Sequence, residues 1–292
     1  MGYKHGKKFI RVLLSSFMDI KKVYEDVKSL KIQGATNVAL SVLEALSKLP
    51  PRKRSLWAKK FLEVRPTEPL LKNGIRYLNA HGFEKWEEFK ALILEAREKI
   101  WSYGKNLLDD GMRVMTYCHS STVTGFIKNS GAKVEVVVCE TRPKWQGRIT
   151  AKELASAGFK VTFIVDAAIR NFVNDVDLVL IGADLITADG FIVNKIGSGI
   201  LALAAEEART DLYVAASLLK FDPDSAKGKV EIEKRDPREV WENPPKNVKI
   251  ENPAFEFVPP KYIHSLITES GFTTTYYVPS LVEDLYPWML KR

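Results

Sequence analysis

A cysteine and a histidine stand side by side where an apolar segment gives way to hydroxyl residues. Cys118 and His119 follow the segment Arg113–Tyr117 and precede the hydroxyl run Ser120–Thr122. If the segment is a strand and the run begins a helix, the helix dipole favours a thiolate there, and the hydroxyl and N–H groups favour a bound phosphate. A small buried residue followed by a Ser/Thr helix cap is the structural alternative, and spacing alone favours it.

A carboxylate stands in the equivalent place of a later segment. Asp184 follows the apolar run Leu178–Gly182 by way of Ala183. In a parallel sheet the carboxyl ends of the strands open into one crevice, so Asp184 and Cys118 would face the same ligand. A turn-forming aspartate is the common structural alternative.

Further donors also follow apolar runs. Asn194, Lys195 and Lys220 would donate hydrogen bonds to phosphate oxygens, although each lysine alone is more typical of a solvated surface. The stretch Gly197–Ala202 partly matches the dinucleotide fingerprint. That fingerprint belongs to the first strand–helix turn of a βαβ unit and needs an acidic residue at the end of the next strand. We therefore expect no nicotinamide cofactor.

The polar run Glu140–Arg148 (ETRPKWQGR) follows another apolar segment. Arg142 within it would either clamp a ligand through two hydrogen bonds or form an ion pair with Glu140 or Asp184. The ion pair would make a salt-bridged loop that shapes the crevice. Residue types alone leave both interpretations open.

Composition limits the class of function. The chain is 46% hydrophobic and 27% charged, which is typical of a globular protein. No apolar stretch reaches the roughly 18–20 residues that a membrane span needs, so we expect a soluble protein. Two cysteines without a CxxC pair are typical of the reducing cytoplasm. The four histidines are widely spread, so we expect no metal site.

The net charge of +8 favours an anionic partner, either nucleic acid or a phosphorylated small molecule. A basic cluster around Trp57 would suit RNA, although a solvated helical surface is more common. The cluster consists of Lys48, Arg52, Lys53, Arg54, Lys59 and Lys60. Residues 1–17 carry half of the net charge, and we expect this extension to be disordered or to precede the natural start at Met18. The modest remaining excess favours a phosphorylated sugar over nucleic acid.

Two patterns describe the elements that must position these side chains. Residues 18–108 show helical periodicity, which predicts a helical N-terminal domain. In residues 109–292, short β-branched runs alternate with helix-forming segments, which predicts a Rossmann-like α/β domain with a parallel sheet. The expected strands are 113–117, 134–138, 160–165, 178–182 and 212–216, and the expected helices include 151–157, 167–172 and 200–208.

The stretch Asp236–Pro260 contains six prolines. This density predicts a long surface connection that wraps the sheet edge or meets a partner subunit.

Seven short segments together resemble a known superfamily. They are Ile32–Ala35, Arg65–Thr67, Thr116–Ser120, Glu140–Gly147, Gly182–Asp184, Asn194–Gly197 and Asn252–Phe255. The superfamily joins the alpha, beta and delta subunits of translation initiation factor 2B with methylthioribose-1-phosphate isomerase and archaeal ribose-1,5-bisphosphate isomerase. The sequence is most similar to the last group. The factor subunits generally lack the cysteine that stands here at Cys118.

The resemblance implies an aldose–ketose isomerase that converts ribose 1,5-bisphosphate, or a close sugar phosphate, to ribulose 1,5-bisphosphate in AMP salvage. It makes Cys118 the proton acceptor and Asp184 the proton donor, with Asp184 held partly protonated. No cofactor is implied, and a homo-oligomer (dimer or hexamer) is expected. The implied substrate-binding residues are Gln33, Gly34, Ala35, Thr36, Arg65, Ser120, Ser121, Thr122, Asn194, Lys195 and Lys220.

Three positions depart from the isomerase pattern. Gln33 stands where an arginine is usual, Ser121 where a lysine is usual, and Glu256 where an aspartate is usual. Losing two cations from a bisphosphate site would cost several kcal/mol, because charge-assisted hydrogen bonds contribute roughly 1.5–3 kcal/mol each. The alternative is therefore a non-catalytic factor-2B-like regulatory subunit that binds nucleotide, sugar phosphate or a protein such as translation initiation factor 2.

Overall fold

A computed structural model gives the structure of residues 19–291. The chain forms two compact units that divide between Ala91 and Leu92. The predicted extension at residues 1–17 lies outside the described residues, and the domain boundary expected at residue 108 stays a prediction. No helix between residues 19 and 291 is long and apolar enough to cross a lipid bilayer. The prediction of a helical N-terminal region followed by a parallel-sheet α/β region is confirmed.

The first unit is helical. Asp19 begins the first helix by accepting a hydrogen bond from the backbone N–H of Lys21 at 3.0 Å, and prolines open two later helices at positions where no N–H is needed. Gly74 lacks a Cβ that would lie 2.4 Å from Leu43, so two of the helices approach closely. The helices are α1 (Ile20–Lys28), α2 (Ala35–Ser47), α3 (Pro51–Val64), α4 (Pro69–His81) and α5 (Trp86–Ser102), the last of which contains the division point.

The second unit is built on a seven-stranded sheet with the order β11-β10-β7-β4-β1-β2-β3. Neighbouring strands run parallel, except for the antiparallel pair β10 and β11. The strands are β1 (Arg113–Thr116), β2 (Glu135–Cys139), β3 (Lys160–Ile164), β4 (Leu178–Ile181), β7 (Asp211–Ala215), β10 (Ser265–Thr268) and β11 (Gly271–Thr273). The five predicted strands lie within one residue of their observed bounds. The last two strands are missing from the prediction.

Five helices belong wholly to this unit: α6 (Ser121–Asn129), α7 (Gly147–Ser156), α8 (Ile169–Val173), α9 (Ser198–Ala208) and α10 (Val278–Leu285). The core lies between the large sheet and its covering helices. Its buried members include Val114, Phe126, Val136, Leu154 and Leu180. Burial of such side chains stabilises each strand by roughly 1.5–3 kcal/mol per residue. The carboxyl ends of the strands are thereby held in fixed places.

A second, four-stranded sheet has the order β8-β5-β6-β9. Its strands are β5 (Leu185–Thr187), β6 (Ile192–Lys195), β8 (Phe221–Asp222) and β9 (Phe255–Val258). The sequence analysis did not predict it, because strands of two to four residues give too little alternation to recognise. It also corrects the expectation for the proline-rich stretch, since β9 within that stretch pairs with β6 rather than running only over the surface.

Candidate active site

The two proposed proton-transfer residues follow neighbouring strands. Cys118 comes just after β1 and Asp184 just after β4, and these strands pair in the middle of the large sheet. From β1 the chain builds one half of the sheet through β2 and β3, and from β4 the other half. The β1–β4 boundary is therefore a topological switch point, where open α/β sheets bind ligands. The backbone N–H of Asp184 donates to Val193 O at 2.9 Å, which ties it to the small sheet.

The end of β4 approaches the start of helix α6 closely. A Cβ on Gly182 would lie 2.6 Å from Oγ of Ser120, so glycine is needed for this contact. Ser120 caps α6 by accepting a hydrogen bond from the N–H of Val123 at 3.4 Å. Among the described residues, the N–H groups of Ser121 and Thr122 have no hydrogen-bond partner. Helix α6 thus presents donors for an anion at this edge of the sheet.

Cys118 has an unusual backbone conformation with φ +66°. Its N–H donates to Oγ1 of Thr141 at 2.9 Å, and its carbonyl accepts from Oγ1 of Thr150 at 2.8 Å. The residue as a whole is partly exposed. The adjacent His119 interacts through Nδ1 with the same Thr150 hydroxyl at 3.1 Å and is therefore engaged away from Asp184.

Electrostatic interactions join Cys118, Asp184 and Lys195. Burial, followed by the charge of Asp184, raises the pKa of Cys118 to about 12, and the charge of Lys195 acts in the opposite direction. Burial lowers the pKa of Lys195, and the charges of Cys118 and Asp184 partly oppose that effect. The thiol is therefore protonated near neutral pH, and its proton is sensitive to both neighbours.

The remaining predicted donors of the second unit have structural partners. Asn194 is buried and donates through Nδ2 to Oγ of Ser198 at 2.9 Å. Lys220 donates through Nζ to the carbonyl of Ala183 at 2.6 Å, directly before Asp184. Lys220 therefore fixes the backbone that carries the aspartate, in addition to any contact with a ligand.

Arg142 forms no ion pair with Glu140 or with Asp184. Its guanidinium donates to the carbonyls of Pro143 at 3.0 Å and Val240 at 3.1 Å, and it stacks 4.6 Å from the Trp145 ring. These contacts correct the expectation of an ion pair with Glu140 or Asp184. Arg142 joins the loop after β2 to the proline-rich stretch, so any shaping of the crevice comes through carbonyl contacts.

The N-terminus of helix α9 is occupied by a side chain of the protein. The Glu256 carboxylate accepts hydrogen bonds from the N–H groups of Gly197 at 2.5 Å and Gly199 at 2.9 Å. These are the amides that a dinucleotide fingerprint would offer to a pyrophosphate. A Cβ on Gly197 would lie 2.0 Å from the Tyr117 hydroxyl, so this turn also packs tightly against the end of β1.

The other predicted ligand residues belong to the first unit. Gly34 has φ +82° and immediately precedes α2, so Gln33–Thr36 forms the turn into that helix. Arg65 is 3% exposed and donates through Nη2 to the carbonyl of Val27 at 3.3 Å. The predicted roles of these residues in ligand binding stay predictions.

The sequence analysis missed three residues that surround Cys118. Thr141 and Thr150 are buried, and Asp166 accepts hydrogen bonds from the N–H groups of Thr141 at 2.8 Å and Arg142 at 2.7 Å. Asp166 lies two residues beyond the end of β3. The rule that singled out Asp184, a carboxylate just after a strand, applies equally to it. No sequence signal distinguishes the two threonines from other buried threonines.

Comparisons with known proteins give a consistent result. The initiation factor 2 subunit family matches residues 31–275. The chain is 36% identical to a ribose 1,5-bisphosphate isomerase of Thermococcus kodakarensis, covering 94% of this chain and 96% of the relative. It is 40% identical to the protein of the same name from Archaeoglobus fulgidus, covering 87% and 89%.

A solved structure is also similar. A translation initiation factor eIF-2B of Pyrococcus horikoshii superimposes with a TM-score of 0.79 at 28% identity, covering 88% of this chain and 97% of that one.

Proposed function

The chain belongs to the initiation factor 2 subunit family, and from this premise we propose that it is an aldose–ketose isomerase acting on ribose 1,5-bisphosphate. Cys118 is the base and Asp184 the acid. The observation that carries the proposal is that Cys118 and Asp184 follow the paired strands β1 and β4 at the switch point of the sheet, within electrostatic reach of each other. Relatives named ribose 1,5-bisphosphate isomerase, 36% and 40% identical over most of both chains, support it.

The substrate sets the chemical task. A phosphate on the anomeric oxygen of ribose prevents the ring from opening by loss of a proton from that oxygen. The ring oxygen must instead gain a proton while C2 loses one. An acid and a base are therefore needed together in one crevice, with a pKa difference that the surroundings maintain.

One proton shared between Cys118 and Asp184 meets this need. A protonated thiol is not a base, and an ionised carboxylate is not an acid. Transfer of that proton from sulfur to carboxylate creates a thiolate base and a carboxylic acid at once. Lys195 favours the thiolate, since its charge lowers the pKa of Cys118.

Cys118 and Asp184 together supply and recover every proton that the reaction moves. Asp184 protonates the ring oxygen and Cys118 takes the C2 proton, which gives an open-chain enol. Cys118 then returns its proton to C1, and Asp184 accepts the proton of the C2 hydroxyl as the ketone forms. Each group ends in its starting form, and no outside oxidant or reductant is consumed. We place the product, ribulose 1,5-bisphosphate, in nucleotide salvage.

The phosphates require donors and cations. We assign one phosphate to the start of helix α6, where the N–H groups of Ser121 and Thr122 lie beside Ser120. Lys195 supplies a cation within electrostatic reach of Cys118. The resemblance also assigns substrate binding to Arg65 and to the Gln33–Thr36 turn, which belong to the first unit. Asn194 and Lys220 complete the set, and both also hold the backbone around the acid and base.

We also propose that the protein acts as an oligomer of at least two copies. Helix α9 exposes Ile200 and Leu203, which are 66% and 56% accessible to solvent. Apolar side chains exposed together on one helix are typical of an interface. A monomer found by light scattering at micromolar concentration would contradict this part of the proposal.

A second candidate function follows from the similarity to a structure titled as a translation initiation factor. Ser120–Val123 also resembles the factor-like members. On that reading the chain binds a sugar phosphate, a nucleotide or initiation factor 2 without catalysis.

One assay separates the two functions. Purified protein is incubated with ribose 1,5-bisphosphate, and ketose formation is followed alongside Cys118→Ser and Asp184→Asn. We expect turnover by the wild type and a loss of about 10²–10⁴-fold in each variant, because general acid–base groups contribute on that order. Absence of ketose from the folded wild-type protein would reject the isomerase, and its capture of initiation factor 2 would then favour the alternative.

A further inference from the structure

We propose that Thr141, itself fixed by Asp166, is the positioning residue that holds the backbone of Cys118 in its left-handed conformation and so keeps the thiol beside Asp184. The effect on kcat rests on the proposed isomerase function. The effect on the reactivity of the Cys118 thiol does not depend on it.

The left-handed conformation of Cys118 needs an external cause. A φ of +66° is uncommon for a residue other than glycine, because its Cβ then lies close to the following carbonyl oxygen. Such a conformation persists only where surrounding contacts determine it, and these places cluster at functional sites. Cys118 lies two residues beyond the end of β1, so relaxation to an extended backbone would redirect its side chain.

Two threonine hydroxyls hold the two sides of Cys118. Thr141 accepts the N–H at 2.9 Å, and Thr150 donates to the carbonyl at 2.8 Å. The Thr141 hydroxyl also donates to the carbonyl of Cys139 at 3.2 Å. A single hydroxyl therefore connects the backbone beyond β1 to the end of the neighbouring strand β2.

Thr141 is fixed in place by a carboxylate from the next strand. It is fully buried and has φ +62°, so it also holds a conformation that needs support. Asp166 accepts its N–H at 2.8 Å and that of Arg142 at 2.7 Å. Charge-assisted hydrogen bonds of this kind are about twice as strong as neutral ones. The segments that follow β1, β2 and β3 thus contribute one residue each to a chain of contacts from Asp166 through Thr141 to Cys118.

The first experiment replaces Thr141 by Val, which keeps the shape and removes the hydroxyl, and by Ser, which keeps the hydroxyl. Alkylation of Cys118 by iodoacetamide is measured against pH, with Cys118→Ser giving the background from the buried Cys139. We expect Val to shift the pH dependence of alkylation down toward that of an ordinary thiol, because the released residue gains solvent and the burial that raises the pKa of Cys118 is reduced. Ser should leave the pH dependence as in the wild type.

Steady-state kinetics give the second readout. We expect Thr141→Val to lower kcat by roughly 100-fold with KM within about twofold, because a misplaced reacting group can cost that much without weakening binding. Thr141→Ser should recover most of the rate. Thr210→Val is the matched control, since it deletes a threonine bond to the Val173 carbonyl at 3.1 Å elsewhere in the unit. It should change neither readout.

A further variant tests the same contact in case Thr141→Val does not fold. Asp166→Asn keeps the shape, removes the charge and lets only one oxygen accept, so it should shift both readouts in the same direction by less. A folded Thr141→Val or Asp166→Asn protein with wild-type alkylation and kcat would overturn the proposal, even if its melting temperature falls. A wild type without isomerase activity would reject the proposed function alone, because alkylation still tests the conformation.

Discussion

Helices α6 and α9 both begin shortly after a strand of the second unit, and both begin with a serine. At α6, Ser120 caps one N–H, and those of Ser121 and Thr122 have no partner among the described residues. At α9, the Glu256 carboxylate accepts from the N–H groups of Gly197 and Gly199. One N-terminus can therefore receive an anion, whereas the other already holds the protein's own carboxylate.

The difference shows that a helix N-terminus after a strand is not enough to define a phosphate site. The glycine-rich start of α9 matches a phosphate-binding motif better than α6 does, yet a glutamate from β9 occupies it. The glycines serve close packing instead, since a Cβ on Gly199 would lie 2.5 Å from Oε2 of Glu256. The distinction depends on which side chain from elsewhere in the fold reaches the amides.

The largest expected effect comes from giving α6 the same kind of carboxylate. Ser121 is exposed, so Ser121→Asp fits sterically and suits the helix dipole. The added charge repels the substrate phosphate, and we expect KM for ribose 1,5-bisphosphate to rise about 100-fold. Ser121→Asn, equal in size and uncharged, should stay within about threefold of the wild type. Equal KM values for the two variants would mean that no phosphate lies at α6.

The next effect comes from removing the carboxylate at α9. Glu256→Ala leaves two N–H groups without their acceptor, and we expect the free energy of unfolding to fall by about 2 kcal/mol. Both N–H groups donate to Oε1, so Glu256→Gln keeps the acceptor and removes only the charge, and it should lose about half as much. Urea denaturation of both variants checks this. A Glu256→Ala protein as stable as the wild type would show that the cap at α9 is dispensable.

A smaller gain is expected from restoring a cation at α6. Isomerases that this chain resembles tend to have lysine where Ser121 stands. Ser121→Lys should lower KM by about 10-fold, because one charge-assisted contact to phosphate contributes roughly 1.5 kcal/mol. Ser121→Met, of similar length and without charge, is the control. A KM that does not respond to lysine would place the phosphate beyond the reach of this side chain.

The smallest effect concerns Lys195, which lies just before the closed N-terminus of α9. Burial lowers its pKa, so the side chain loses its charge at a lower pH than an exposed lysine does. Activity should therefore decline on the alkaline side below the ordinary pKa of lysine and well before Cys118 titrates at about 12. Lys195→Arg keeps its charge and should remove this decline from the profile of kcat/KM against pH. An unchanged alkaline limb would show that another group causes it.

The sequence predicted the elements that carry strong local signals. The β-branched runs of β1 to β4 and β7 are long enough to identify, and the residue after each is found by counting. Counting from these runs places Cys118 and Asp184 after strands, but it does not show that the two strands are neighbours. Sequence patterns did not predict the small sheet, because its short strands are stabilised by pairing with segments distant in sequence, such as β6 with β9.

Residue types and order therefore determined the α/β class and the strand ends, and the family resemblance added the proposal that Cys118 and Asp184 are the acid–base pair. Only the tertiary structure decided which strands adjoin, which helix start is open, and that Thr141 and Asp166 fix the conformation of Cys118. The physical reason is the distance along the chain over which each interaction acts. Periodicity and capping act within a few residues, whereas hydrogen bonds such as that from Cys118 to Thr141 form between segments that are brought together only when the sheet has assembled.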